Sequence, residues 1–96
     1  MKSQYINELK EGQAIRETFV LSKKTIKDKR DGGYYAIVEF SDRTGSIDGI
    51  SWDSDNFNNI SVGDFVFITG NVSEYSGRLQ IVVNSASLID AEKIDA

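Results

Sequence analysis

Apolar and polar residues alternate along most of this chain, the pattern of half-buried β-strands whose successive side chains point to opposite faces. Five runs carry it. From about Ala14 to Thr25, Ile15, Glu17, Phe19 and Leu21 share one face and Arg16, Thr18, Val20 and Ser22 the other. A second run, Tyr34 to Ser41, sets Ala36, Val38 and Phe40 against Tyr35, Ile37 and Glu39. The third, Ser46 to Trp52, sets Ile47, Gly49 and Ser51 against Asp48, Ile50 and Trp52, and its small residues suit a crowded interior. A fourth, Phe65 to Tyr75, keeps Val66, Ile68, Gly70 and Val72 in phase. In the fifth, Arg78 to Asn84, Leu79, Ile81 and Val83 face one way and Arg78, Gln80, Val82 and Asn84 the other.

Proline is absent, so the turns are marked by glycine and by Asp, Asn and Ser, at Gly32-Gly33, Asp42-Arg43-Thr44-Gly45, Val62-Gly63-Asp64 and Ser76-Gly77. Between the third and fourth runs the alternation lapses in DSDNFNNI. Asp53 and Ser54 are N-cap residues there, and Phe57 and Ile60 stand at i, i+3 spacing, which predicts a short helix. Three meandering strands, a helix and a final hairpin follow the order of a five-stranded OB-fold barrel, an all-β class, with a small open sandwich as the competing architecture. At 96 residues the chain suits one domain, 1–96, with its core at about 5–89 and a polar tail from Asp90 expected to fray.

Composition then narrows the chemistry. The chain has neither cysteine nor histidine, which removes disulfides, Cys/His zinc sites, Ser-His-Asp and Cys-His nucleophile systems and the commonest general base near neutral pH. Carboxylate chemistry survives that filter, but Asp53-Ser54-Asp55-Asn56 lacks the glycine and closing glutamate of a calcium loop and reads as a helix cap. Glu39 and Asp48 read as surface residues across paired strands. The expectation is a non-catalytic module with no cofactor and no metal. No apolar run nears the roughly 20 residues that span a bilayer, and the opening MKSQYINELKEG has no apolar leader, so a cytoplasmic protein away from membranes is expected.

Net charge is −4, yet KKTIKDKR holds five basic residues and one acid, leaving the rest of the chain at −8. In an OB barrel the ligand face spans strands two and three, flanked by the loops between strands one and two and strands four and five. The basic run is expected in the first of those loops, where Lys23, Lys24, Lys27, Lys29 and Arg30 attract phosphate; the plainer reading is a solvated hairpin. Tyr35 and Trp52 lie opposite the core phase and are candidates for stacking on bases, although a lone tryptophan also fills cores. Tyr34 is a weaker aromatic candidate. Tyr75 and Arg78 flank the second loop, where a ring and a guanidinium grip a base and a phosphate or else brace the hairpin. The partner these residues imply is single-stranded RNA or DNA; a protein-interaction or structural barrel is the rival reading.

The set Tyr5-Ile6-x-x-Leu9-x-x-Gly12, Gly33-x-Tyr35, Asp42-Arg43-Thr44-Gly45-x-Ile47, Trp52-Asp53, Gly63-Asp64-x-Val66 and Tyr75-x-Gly77-Arg78-x-Gln80 resembles the N-terminal OB domain of a family of bacterial 3'-5' exoribonucleases. Relatives of that family are also described as plasmid replication enhancer-binding factors. The resemblance covers about residues 5–89 and implies a strand-holding domain followed by a C-terminal HD phosphohydrolase domain. An HD centre needs histidines to hold its metals, and this chain has none. Only the binding role carries over, as the substrate-holding domain of an exoribonuclease.

Overall fold

The computed structural model describes residues 4–89, so the tail from Asp90 lies outside the described residues. Five strands, β1 (Ala14–Asp28), β2 (Tyr34–Asp42), β3 (Gly45–Ser51), β4 (Phe65–Tyr75) and β5 (Arg78–Leu88), close into a barrel in the order β1-β2-β3-β5-β4. All neighbours are antiparallel except β3 and β5, which run parallel. This is the OB-fold. The expected inward phases hold: Ile15, Phe19 and Leu21, Ala36, Val38 and Phe40, Ile47, Val66, Ile68 and Val72, and Ile81 and Val83 are all buried. Phe40 is central, its ring 6.2 Å from those of Phe19 and Phe57.

One long strand serves two sheets. Ala14–Val20 of β1 pairs with β4, and Val20–Asp28 pairs with β2. The register shifts between Leu21 and Lys23, leaving Ser22 as the extra residue of a bulge, and its hydroxyl bonds that of Ser41. A bulge reverses the side-chain phase beyond it. Leu21 points inward opposite Phe40, yet Lys24, three residues on, also takes the inward phase opposite Val38.

Two glycines mark close approaches. A Cβ on Gly49 would lie 2.7 Å from the Phe40 ring, which bears out the crowded interior read from that strand. A Cβ on Gly70 would lie 2.2 Å from the Val82 carbonyl oxygen, beside a second bulge where β4 and β5 shift register. The β4–β5 hairpin closes through Ser76 and Gly77, both at positive φ, as a two-residue primed turn requires.

The helix expected after Trp52 is a single 3-10 turn, Ser54–Phe57. Asp53 caps it, accepting from the Asp55 N–H at 3.0 Å, and Phe57 and Ile60 reach the core as expected. Four residues offer no second apolar turn to extend it. The N-terminal segment closes the barrel's other end with Ile6 and Leu9, around a 3-10 turn at Ile6–Glu8. Asp42 holds it: one carboxylate oxygen accepts from the Thr44 N–H at 2.7 Å and the other from the Ile6 N–H at 2.9 Å. Arg43 stacks over the Tyr5 ring, 5.1 Å from its centroid. The D-R-T-G turn therefore docks the N-terminal segment. Among the described residues no helix is long and apolar enough to cross a membrane.

Candidate nucleic-acid interface

Residues paired across strands share a face, so the register alone arranges the outer surface of β1, β2, β3 and β5 in rows. Lys27 lies opposite Tyr35. The Tyr35 ring meets that of Trp52, just beyond β3, with centroids 5.2 Å apart and planes tilted by 38°. The next row is Thr25, Ile37, Ile50 and Val82, and the one after it Lys23, Glu39, Asp48 and Gln80. Trp52 is 56% exposed, while Ile37, Ile50 and Val82 are half-buried. The outer surface thus carries an aromatic pair beside a lysine and an apolar strip.

The basic run is not the single loop its sequence predicts. Its first six residues, Lys23 to Asp28, continue β1, because β2 is long enough to pair with them through Tyr34. Only Lys29 and Arg30 enter the hairpin loop, which closes by a Lys29 N–H to Gly33 carbonyl bond of 3.1 Å. The Ser22 bulge then divides the lysines. Lys23 and Lys27 stand on the outer face, Lys23 at 3.7 Å from the Glu39 carboxylate. Lys24 donates to the carbonyl oxygens of Phe57 at 2.7 Å and Ile60 at 2.8 Å, at the end of the 3-10 turn. Its ammonium ties that connection to β1.

Tyr75 and Arg78 pair across the β4–β5 turn and are both exposed, Tyr75 at 72%. Asp48 lies beside Gln80 in the parallel register, so Arg78 sits level with Ser46, at the end of the face remote from Trp52. At about 3.3 Å per residue the two ends are roughly 20 Å apart. Apart from Lys23, beside Glu39, and Lys24, bound to the Phe57 and Ile60 carbonyls, the sequence-derived residues form two groups: Lys27, Lys29, Arg30, Tyr35 and Trp52 around the first hairpin, and Tyr75 with Arg78 on the second. Tyr34 is exposed opposite Asp28, outside the ring pair.

Sequence reasoning passed over Ile37, Ile50 and Val82. Their signal was present, since β2 and β3 carry apolar residues in both phases, and only the register joins the outward ones into one contiguous strip. Glu39 and Asp48 do lie directly opposite each other. Among the described residues no group of three or more Asp, Glu, His or Cys side chains is arranged to hold a metal ion.

Comparison with known proteins agrees with this architecture. The family described as an OB-fold nucleic acid binding domain matches residues 20–89. A domain of replication protein A from Methanococcus maripaludis superposes with a TM-score of 0.78 at 24% identity, covering 91% of this chain and 94% of that one. The solution structure of the second OB-fold domain of the same organism's replication protein A gives 0.61 at 25% identity with the same coverage. The p204 HINb domain gives 0.73 at 13% identity; 91% of this chain is covered, but it spans only 47% of that structure. No curated protein sequence matches the chain.

Proposed function

The chain belongs to the family of OB-fold nucleic acid binding domains, and from that membership we propose that it binds single-stranded RNA or DNA reversibly, without catalysis, along the outer face of β1, β2 and β3. The observation that carries this reading is the cluster of exposed Lys27 and Trp52 with the half-buried Tyr35, next to the Ile37, Ile50 and Val82 strip. Unpaired bases offer π faces to stack on such rings, each contributing about 1–3 kcal/mol, whereas a duplex keeps its bases stacked on one another. Lys27, Lys29 and Arg30 lie at the same end and meet the phosphates. Lys23 adds to them when it leaves Glu39, a pairing that water screens heavily. Tyr75 and Arg78 extend the path toward the second hairpin, and Lys24 acts indirectly by fixing the connection beneath the sheet.

In a longer protein the same face would hold a strand for a nuclease centre carried elsewhere, such as an HD domain. The resemblance of its motifs to those of the 3'-5' exoribonuclease family supports that wider role, and we place it in the cytoplasm.

Fluorescence anisotropy with labelled single-stranded and duplex oligonucleotides tests the binding. Three cations on phosphates give a slope of log affinity against log salt of about −2, so affinity falls roughly 20-fold between 50 and 200 mM salt. Lys27→Glu should weaken binding and flatten that slope. Equal affinity for duplex and single strands, or a salt-independent signal, would refute the proposal and favour the protein-interaction reading that the acidic remainder of the chain suggests.

A further inference from the structure

The parallel ladder between β3 and β5 is short, joining only Asp48–Ile50 to Gln80–Val82. Before it the strands diverge, β3 rising from the Gly45 turn and β5 from its hairpin with β4. The gap is a pocket of about 300 Å³ lined by the apolar Ile6, Ile47 and Leu79 and by the polar Glu39, Ser46, Asp48 and Arg78. Its floor is firm, because Ile6 and Ile47 are buried and Asp42 anchors the Ile6 backbone.

We propose that this pocket is a base-reading subsite that takes guanine, an inference that rests on the single-strand reading above. The volume lies at the lower end of small-molecule sites, roughly 300–1,000 Å³, and admits one planar heterocycle over the apolar floor. The polar edge selects which one. Carboxylates only accept hydrogen bonds and guanidinium only donates them. Guanine presents N1–H and the N2 amino group side by side on one edge, and the O6 and N7 acceptors on another, the pair that arginine reads. Guanine thus offers a donor edge to the carboxylates and an acceptor edge to Arg78. Uracil and thymine offer a single ring N–H between two carbonyl oxygens, which would face the carboxylates lone pair to lone pair. Cytosine and adenine place a ring acceptor beside their amino group.

The charge balance also favours a neutral base over a phosphate or a cation. Lys23, at 3.7 Å from Glu39, and Arg78 together offset Glu39 and Asp48. From Tyr35 to Glu39 along β2 is about 13 Å. One oligonucleotide can therefore stack on Trp52 and place a base here.

The test uses labelled oligouridine of about twelve nucleotides, within the site size of one OB fold, against the same strand with a single central guanosine, inosine or cytidine. Guanosine should tighten binding about 5- to 150-fold, the discrimination of a good two-point base contact. Inosine, which lacks the N2 amino group, should lose most of that gain. Asp48→Asn, with the parent's circular dichroism and melting, should abolish the guanosine preference without weakening the binding of plain oligouridine. Equal affinity for all four strands, or a preference for cytidine equal to that for guanosine, overturns the guanine assignment and leaves the single-strand reading standing. If no strand binds, both fall.

Discussion

Lys24 and Lys27 are three residues apart in one basic run, yet their replacement should damage different properties. Lys24 donates two short charge-assisted bonds, 2.7 and 2.8 Å, to the carbonyls of Phe57 and Ile60, two residues whose side chains are buried. Hydrogen bonds to charged groups contribute roughly 1.5–3 kcal/mol each. Lys24 is half-buried, so water partly replaces it, and Lys24→Met should cost about 2–4 kcal/mol in all. A chain of this size loses about 4–8 °C of melting temperature per kcal/mol, so the midpoint should fall by roughly 10–30 °C. Methionine keeps the stem's packing and removes only the donors. Lys27 is exposed on the outer strand face, and Lys27→Met should change stability by less than about 0.5 kcal/mol. It should instead lower the magnitude of the salt slope for single-strand binding by about 0.7, one phosphate contact. Thermal melts by circular dichroism and anisotropy titrations at two salt concentrations, below both melting transitions, measure the two effects. A Lys24→Met protein as stable as its parent would refute the bracing role, as would one that stays stable but binds as weakly as Lys27→Met.

Trp52→Ala should weaken single-strand affinity about 5- to 150-fold, the equivalent of one stacked base, and intrinsic fluorescence of the parent should be quenched by single strands; an affinity within twofold of the parent would remove Trp52 from the interface. Gly70→Ala isolates a steric effect, because Gly70 does not occupy the positive-φ region and alanine would otherwise be tolerated or mildly stabilising. With Val82's carbonyl oxygen only 2.2 Å from the added methyl, it should destabilise the protein by about 1–3 kcal/mol in urea denaturation, and an unchanged or raised midpoint would refute the close approach.

How the β4–β5 hairpin is read from the sequence shows which features were legible and which were not. β4 spans Phe65–Tyr75, the bounds its alternation indicates, and Ser76-Gly77 is the turn. β5 continues past Asn84 to Leu88, through Ser85, Ala86 and Ser87, which carry little strand signal of their own. They are strand because β4 lies opposite, with Thr69, Ile68 and Phe67 facing them in turn.

The residues alone determined the five strands, most of their inward phase and the turns, since period-two alternation and turn chemistry are properties of neighbours along the chain; closure of the sheet into a barrel was decided by pairing. They also nominated Tyr35, Trp52 and the lysines. Folding decided the grouping: which lysine faces outward, which ring meets which, and where β3 and β5 part to leave a pocket. Those depend on pairing register and on one extra residue at Ser22. Register is a relation between distant segments, so a single bulge redirects every side chain after it without altering the local pattern.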